Sequence, residues 1–352
     1  MTTRCADLIQ QLQEDISETD MYMMKELRQK ESWELFSYHA FRKSLPPVSF
    51  LELSVSLVDY VGGHPLALKA LGSSLRENNI KKILQLSYDE LDDEKKKLIF
   101  LNIVFFFVEK DKDETAHIFK SCDYCPDAGI PVLVERFLLR IDEDNKFQMH
   151  NLIQDMGREV IREEYKHGKC LHLHLCRGNA LEAFQNLEGT DKIEGLVDLT
   201  PGTQRHVSAK NFERLPNLRL LEIISPHDIG GNFERSFHEL RFIRWRHCPW
   251  THLPSSFCPQ KLVSLDMTFS KLKTLWKGTM QPSVSLNTIT VSYSKNLKTT
   301  PNFRDSKLVE KLLFRGCRNL LRVHPSIEQL SQLCHLDLNE CGHLRELPET
   351  VA

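Results

Sequence analysis

The chain has 352 residues, of which 41% are hydrophobic and 27% charged, and its formal net charge at pH 7 is −2. This composition is typical of a soluble globular protein of two or three domains. The longest apolar run, residues 98–108, has 11 residues and is too short to cross a bilayer, so we interpret it as buried core. No apolar stretch follows a basic start, so no secretory signal is expected. We expect the 10 cysteines to be reduced thiols of a cytoplasmic protein, with the nucleus as a second compartment.

The two parts of the chain carry opposite charge. Residues 1–190 contain 24 Lys and Arg and 32 Asp and Glu, which gives a net charge of −8. Residues 191–352 contain 22 and 16, which gives +6. Opposite signs favour docking of one part on the other, or an acidic partner for the second part. Because these charges are not clustered in the sequence, chance explains them equally well.

Residues 22–80 are predicted to be helical. Pro46-Pro47 interrupts a first apolar pattern, a second run from Phe50 ends at Gly62-Gly63, and Pro65 begins a third helix. Residues 81–165 alternate short helices with a hairpin near Phe137 to Met149, whose turn contains Asp142 to Asn145. Helices followed by a small hairpin predict a winged-helix domain. Its acidic balance and the lack of a basic recognition helix argue against nucleic-acid binding.

Two cysteine and histidine clusters are weak candidates for metal sites. Residues 167–176 (HGKCLHLHLC) would place His172, His174 and Cys176 on one face if they formed a strand, whereas in a helical linker they would spread around the axis. Cys122-x-x-Cys125 has no second pair. We predict neither a metal site nor an enzyme, because no nucleophilic triad or paired carboxylates can be identified from spacing.

The C-terminal half repeats with a period of 22 to 24 residues. Each unit has the pattern apolar-x-x-apolar-x-apolar, and five later units follow the one that begins at Leu218. A degenerate unit begins near Ile193. No unit of this length can bury its apolar face alone, so neighbours must stack, which predicts a leucine-rich-repeat solenoid. The first positions of the units are Leu218, Leu240, Leu262, Leu286, Val309 and Leu333.

A small residue follows the last apolar position of each unit from the second onward. At the turn such a side chain can hydrogen-bond backbone groups that stacking would otherwise bury unpaired. We therefore interpret these cysteines as turn residues. The five positions are Cys248, Ser270, Ser294, Cys317 and Cys341.

Strand alternation predicts which side chains lie on the concave surface of the solenoid. Curved sheets of this kind usually bind other macromolecules, so we expect a protein partner there, although a merely solvated surface is the alternative. The predicted concave residues are Arg244, Arg246, Asp266, Thr268, Thr290, Lys311, Arg315, His335, Asp337 and Asn339.

Several sequence blocks, in order, resemble the plant intracellular immune receptors of the TIR-NB-LRR class. They cover nearly the whole chain, which makes them more specific than any single motif. The blocks are TTR at 2–4, ELFSYHAF at 34–41, GHPLAL at 63–68, LSYDEL at 86–91, FLNI at 100–103 before FFF at 105–107, and MHNL at 149–152 running into QDMGR at 154–158.

The resemblance implies nucleotide contacts for three residues. In such receptors the arginine of the first block senses the terminal phosphate, which would be Arg4; Pro65 would lie against the nucleoside, and His150 would reach the diphosphate. The chain departs from the family because it contains no G-x-x-x-x-G-K-[ST] motif and no strand ending in paired aspartates. Structural roles are therefore favoured instead, with Pro65 starting a helix and His150 capping one or ending the hairpin. ADP or ATP binding is doubtful.

We expect a multidomain α+β chain with a truncated nucleotide-binding part. The expected domains are a remnant of a nucleotide-binding α/β domain (1–24), a helical ARC1-like domain (25–80), a winged-helix ARC2-like domain (81–168), a linker (169–192) and leucine-rich repeats (193–352). The predicted function is protein recognition in plant defence signalling, without autonomous ATPase activity. The alternatives are a nonfunctional partial gene product, or an ADP/ATP-dependent switch that a full-length receptor completes in trans.

Overall fold

A computed structural model describes residues 26–74, 80–166, 173–176, 190–198, 206–224, 228–276, 285–304 and 306–348. The chain divides into two units, residues 1–86 and 87–352. The boundary lies within one helix, α4 (Ile80–Asp89). The expected remnant of a nucleotide-binding domain, residues 1–24, lies outside the described residues.

The first unit contains the predicted helices α1 (Gln29–Phe41), α2 (Leu51–Val61) and α3 (Pro65–Ser74). Helices α1 and α3 pack closely: a Cβ added at Gly72 of α3 would lie only 2.8 Å from the carbonyl oxygen of Phe36 in α1. The Phe36 residue is fully buried. At the turn after α2, Gly63 has φ +78° and its carbonyl accepts a hydrogen bond from Leu27 N–H at 2.9 Å. A left-handed backbone in contact with another segment requires glycine at this position.

The second unit begins with the predicted winged-helix domain. Buried side chains of the apolar run 98–108 form its centre, as expected, and the rings of Phe107 and Phe119 meet edge to face at 5.2 Å. Within that run a π-helical segment, Ile103–Phe107, ends with Val108 N–H donating to Ile103 O at 3.1 Å. Its other elements are α5 (Glu94–Asn102), α6 (Lys112–Ser121), α7 (Pro126–Glu135), the hairpin strands β1 (Arg140–Ile141) and β2 (Phe147–Gln148), and α8 (Asn151–Lys166).

A parallel sheet follows, with the strand order β12-β11-β10-β9-β8-β6-β4-β3. The strands pair in the register that the repeat alignment predicts: Leu221 pairs with Ile243, and Ile243 with Leu265. The sheet strands are β3 (Leu173–Cys176), β4 (Gly195–Asp198), β6 (Leu220–Ile223), β8 (Phe242–Trp245), β9 (Ser264–Asp266), β10 (Thr288–Thr290), β11 (Lys311–Leu313) and β12 (His335–Asp337). Strands β5 (His206–Ser208) and β7 (Asp228–Gly230) pair separately, and a short helix α9 (Lys210–Glu213) lies between them in sequence.

The turn residues of the repeats form the predicted hydrogen bonds. The Ser294 hydroxyl donates to Met267 O at 3.3 Å and accepts from Ser270 N–H at 3.1 Å. The buried thiols of Cys317 and Cys341 each donate to a carbonyl of the preceding unit at 3.2 Å. These bonds satisfy backbone groups that stacking buries.

The sheet extends further toward the N-terminus than predicted. Residues 173–176, which we assigned to a linker, form β3 and pair with β4 from Leu173↔Gly195 to Cys176↔Asp198. The linker assignment was wrong for these four residues, because a strand added at the sheet end takes its pairing from β4 and not from an apolar repeat pattern. None of the described helices combines the length and the apolar composition that crossing a bilayer needs.

Candidate functional site

The winged-helix domain docks on the concave surface of the repeats. The rings of Phe106 and Phe107, in the π-helical segment, lie 6.2 Å and 5.0 Å from the ring of Phe242 on β8. All three rings are buried. Burial of apolar area in this contact stabilises the docked arrangement by about 25 cal/mol per Å².

The predicted concave positions form columns across the sheet, because the strands pair in register. Phe242 lies beside Ser264, followed by Thr288, Lys311 and His335. Phe242 pairs with Leu220 on the preceding strand, so the column is apolar at these two strands and polar from Ser264 onward. Phe242 carries the aromatic contact with the winged-helix domain.

Arg244 is the electrostatic centre of the interface. Its guanidinium donates to Phe106 O and to Glu222 Oε2, both at 3.0 Å, and to Asp266 Oδ2 at 3.3 Å. The three side chains share one column, since Glu222 pairs with Arg244 and Arg244 with Asp266. The Arg244 side chain is 6% exposed, so its charge is separated from bulk water. A buried arginine whose donors are all paired fixes the relative positions of the groups that it binds. Its removal leaves the buried carboxylates without a counterion.

Backbone carbonyls at the end of α6 accept hydrogen bonds from two arginines that precede strands. Arg241 Nε donates to Ser121 O at 2.9 Å, and Arg219 Nη1 donates to Cys122 O. Arg219 also lies 3.7 Å from Asp123. Cations of the repeats therefore meet the partial negative charge at a helix C-terminus.

Three further side-chain pairs lie along the interface. They are the Tyr124 hydroxyl donating to Glu194 Oε2 at 2.7 Å, the Ser264 hydroxyl donating to Glu114 Oε1 at 3.3 Å, and the Lys311 ammonium 3.5 Å from Asp111 Oδ1. The contacts extend from the residue before β4 to β11. The domain thus covers much of the sheet and leaves its last strand, β12, outside these contacts.

Burial shifts the pKa values of several groups at the interface. Desolvation raises the pKa of Glu114, and the nearby ammonium groups of Lys311 and Lys110 oppose the shift. Desolvation also raises the pKa of Glu222, against the guanidinium of Arg244. The pKa of Lys110 is lowered, first by burial and then by Arg244. Burial in the interface therefore disfavours the charged forms of all three groups.

The predicted concave residues divide into two groups. Arg244, Asp266 and Lys311 contact the winged-helix domain or the ion pairs that hold it, so the expectation that they are open to another protein was wrong for this arrangement. The physical reason is that a partner within the chain already satisfies them. Arg246, Arg315, His335 and Asn339 are exposed and Asp337 is half-buried. Arg315 pairs with Glu340 at 2.7 Å.

The residues expected at a nucleotide are distributed along the chain. Arg4 lies outside the described residues, Pro65 is the first residue of α3 in the first unit, and His150 lies in the second unit. His150 Nδ1 accepts a hydrogen bond from Leu152 N–H at 3.2 Å, which caps α8. Pro65 and His150 therefore have the structural roles that we considered as alternatives.

In the described part of the chain, no three His, Cys, Asp or Glu side chains are grouped to hold a metal ion. Of the Cys-x-x-Cys pair, Cys122 is buried and Cys125 is exposed, so the two thiols lie in different environments. Most of the cluster at 167–176 lies outside the described residues.

The charge asymmetry favoured docking of the two parts of the chain, but sequence reasoning did not identify the residues of the interface between the winged-helix domain and the repeats. Phe242 carried a usable signal, because it is a large apolar residue at a concave position where the four following repeats have Ser264, Thr288, Lys311 and His335. An apolar residue on an otherwise polar surface indicates that something covers it. The arginines before the strands gave no such signal, because their acceptors are carbonyls far away in sequence.

Comparison with known proteins agrees with this architecture. Residues 93–165 match the family model of the winged-helix domain of Roq1-like disease resistance proteins. The chain is 32% identical to disease resistance protein RUN1 of Vitis rotundifolia, over 89% of this chain and 27% of that protein. It is 31% identical to TMV resistance protein N of Nicotiana glutinosa, over 99% of this chain and 31% of that protein.

The chain therefore spans less than a third of the length of these relatives. Among solved structures, the leucine-rich repeat domain of the type III effector XopL matches with a TM-score of 0.42 and 15% identity, covering 77% of this chain and 90% of that domain.

Proposed function

We propose that this chain, which is related to plant disease-resistance proteins, acts in plant defence by recognising another protein through its leucine-rich repeats. The observation that carries the proposal is the unequal occupation of the concave surface. The winged-helix domain covers the middle strands around Phe242 and Arg244, whereas Arg315, His335 and Asn339 remain exposed toward the C-terminal end. A curved sheet with exposed, chemically varied side chains is suited to binding a protein.

Such binding would be coupled to docking of the winged-helix domain. Lys311, which pairs with Asp111, lies in register with His335 on the next strand. A partner that binds over β12 and extends to β11 would compete for Lys311 and weaken the docked arrangement, whereas one confined to β12 would leave it intact. Recognition would then shift the population of docked and released domains by the difference in partner affinity between the two states.

We further propose that the chain has no autonomous ATPase activity. The G-x-x-x-x-G-K-[ST] loop, whose backbone N–H groups would hold the phosphates, is absent from the sequence, and His150 Nδ1 already caps a helix. Calorimetry with millimolar ADP should give no binding heat that depends on His150, and ATP hydrolysis should equal the buffer rate. Saturable ADP binding that His150→Ala abolishes would contradict this proposal.

The proposed partner is a protein, either a pathogen molecule, a host protein or another receptor chain, in the cytoplasm or the nucleus. Neither nucleic acid nor a membrane is proposed as a partner. Fractionation of plant cells that express the tagged chain tests the compartment. Recovery in the membrane or secreted fraction would contradict it.

A face-specific variant tests recognition. Partners labelled in proximity to the chain in leaf tissue would be purified and their affinity measured with the isolated protein. The exposed concave residues Arg315, His335 and Asn339 would be changed together to Ala, and the control would change Lys271, Lys298 and Arg345, which are exposed but lie outside the concave columns. We expect the concave variant to weaken binding at least about tenfold and the control less than about twofold. Equal affinities for both variants would overturn the assignment.

A further inference from the structure

A cavity of about 310 Å³ lies between the winged-helix domain and the concave surface. The winged-helix side contributes Lys110 and Glu114, and the repeat side contributes Arg246, Phe269 and Tyr293, among others. Its size is near the lower end of the range for small-molecule sites, about 300–1,000 Å³. The cavity can therefore accommodate a ligand of one ring system but not a folded partner.

A stack of aromatic rings forms one wall. The rings of Phe269 and Tyr293 are nearly parallel, at 17°, with their centroids 5.2 Å apart, and His247 continues the stack at 5.4 Å from Phe269. The stack follows from the repeat, because each ring belongs to the residue with positive φ before a turn residue. Phe269 is 46% exposed. Because His247 and Tyr293 cover the two faces of Phe269, the ring presents its edge to the cavity, against which an aromatic ligand can pack edge to face.

Two cations at this cavity lack a hydrogen-bonded or ion-paired side-chain partner among the described residues, and Lys110 interacts with Glu114 and Asp266 only at longer range. The Lys110 ammonium makes no hydrogen bond or ion pair there, and neither does the Arg246 guanidinium. Arg246 is exposed, whereas Lys110 is half-buried, and burial followed by the charge of Arg244 lowers the pKa of Lys110. An anion placed between these cations would favour the charged form of Lys110.

The acidic groups of the cavity are already engaged. Asp266 accepts from Arg244 Nε at 3.3 Å and from Thr268 N–H at 3.1 Å, and Glu114 accepts from the Ser264 hydroxyl at 3.3 Å. The lining thus holds three cations, Lys110, Arg244 and Arg246, against two carboxyl groups. Glu222, outside the lining, also pairs with Arg244. The carboxylates accept hydrogen bonds, whereas the side chains of Lys110 and Arg246 have unused donors, and unused cationic donors favour an anion over a cation.

We propose that this cavity binds a small aromatic anion, with its ring against Phe269 and Tyr293 and its carboxylate or phosphate at Lys110 and Arg246. The inference goes beyond the proposed function, since it requires neither a protein partner nor the exposed residues of β12. The ligand would touch both domains, so its binding would stabilise the docked arrangement.

Fluorescence and calorimetric titrations with two aromatic anions test the proposal. The probes are 2-naphthoate, which carries a carboxylate, and adenosine monophosphate, which carries a phosphate. Saturable binding of either probe, with a Kd on the order of 1 mM or tighter, is expected for a ligand of this size, and the tighter probe identifies the anionic group. The neutral 2-naphthamide and the non-aromatic cyclohexanecarboxylate should each bind at least about tenfold more weakly than 2-naphthoate. Failure of both probes to saturate, or equal binding of naphthamide and naphthoate, would overturn the proposal.

Single variants locate the site. Lys110→Met and Arg246→Met should each weaken the tighter probe about tenfold, and Phe269→Ala should weaken it by a similar factor. Neither cation makes a side-chain hydrogen bond or ion pair among the described residues, so the fold is expected to persist, and circular dichroism checks it. Lys298→Met, which also removes one positive charge, is the matched control and should change the affinity less than about twofold. Equal affinity in the cavity variants and the control would place the ligand elsewhere and overturn the assignment.

Discussion

Arg244 and Phe106 are 138 positions apart in sequence, yet the guanidinium of Arg244 donates to the carbonyl of Phe106 at 3.0 Å. The same guanidinium pairs with Glu222 and Asp266 on the neighbouring strands. The carbonyl belongs to the π-helical segment, where the hydrogen-bond ladder is irregular. One side chain therefore links the register of the repeats to the position of the winged-helix domain.

Replacing Arg244 by Met should lower the free energy of unfolding by about 3–5 kcal/mol, because the buried Glu222 and Asp266 side chains would lose their ion-pair and hydrogen-bond partner. Urea denaturation measures the change. Arg315→Met is the matched control, because it breaks an ion pair with Glu340 in which both side chains are exposed to solvent. Its effect on the free energy of unfolding should be small. Comparable losses for the two variants would contradict the central role of Arg244.

Gly316→Ala should destabilise the repeats by about 2–5 kcal/mol, of which overpacking contributes about 1–3 kcal/mol and the left-handed backbone about 1–2 kcal/mol. Gly316 has φ +69°, and a Cβ there would lie 2.6 Å from Cε1 of Tyr293. Gly342→Ala is the control, since nothing lies within 4 Å of its Cβ position. In a Tyr293→Ala background the cost should fall to the left-handed backbone strain, about 1–2 kcal/mol. An unchanged cost in that background would show that the ring does not cause the effect.

Glu114→Gln should change how stability depends on pH. Because the pKa of Glu114 is raised in the folded chain, its favourable contribution is full below the ordinary value of 4.5 and is lost as the pH rises through the folded pKa. The amide can still accept from Ser264. The variant should therefore match the native chain near pH 4 and become progressively more stable than it toward pH 8, as melting temperatures would show. Glu328→Gln, at an exposed position, should leave the difference near zero at every pH, and a destabilised Glu114→Gln at pH 8 would refute the prediction.

Alkylation by iodoacetamide at pH 8 should separate the cysteines by burial. Desolvation raises the pKa of Cys122 and of Cys317 to about 12, so the thiolate that reacts is scarce at both. Cys125, Cys258 and Cys334 are exposed and should be labelled first, as peptide mass spectrometry would show. In urea all of these thiols should react at similar rates. Labelling of native Cys317 as fast as in urea would show that the repeats do not enclose it.

The repeats could be predicted because their information is local. A spacing of 22 to 24 residues places Leu221, Ile243 and Leu265 in adjacent buried positions, and each unit needs only its neighbour. The turn residues follow for the same reason, since Ser270 and Ser294 bond within adjacent units. The short helices and the hairpin of the winged-helix domain also depend on local signals, such as Asn145 at the turn with φ 60°.

The docking of the two domains could not be read in the same way. Charge asymmetry suggested that the acidic and basic parts associate, but it did not indicate that Arg219 and Arg241 donate to carbonyls at the end of a helix. Carbonyl acceptors are present at every residue and leave no trace in composition. The strand β3 was missed for a related reason. Its backbone hydrogen bonds to β4 at the end of the sheet, and such pairing does not require an apolar repeat pattern in β3 itself.

Zero-length carbodiimide cross-linking between Lys311 and Asp111 tests the docked arrangement most directly. The Lys311 ammonium and the Asp111 carboxylate are 3.5 Å apart and both are partly exposed, so activation of the carboxylate should join them. Mass spectrometry of the full chain should find this cross-link together with the Lys261–Glu239 cross-link inside the repeats, whose atoms are 2.5 Å apart. Lys311→Arg, which keeps the charge, should remove only the first. Recovery of the Lys261–Glu239 cross-link without any link between residues 111 and 311 would contradict docking of the winged-helix domain on the concave surface.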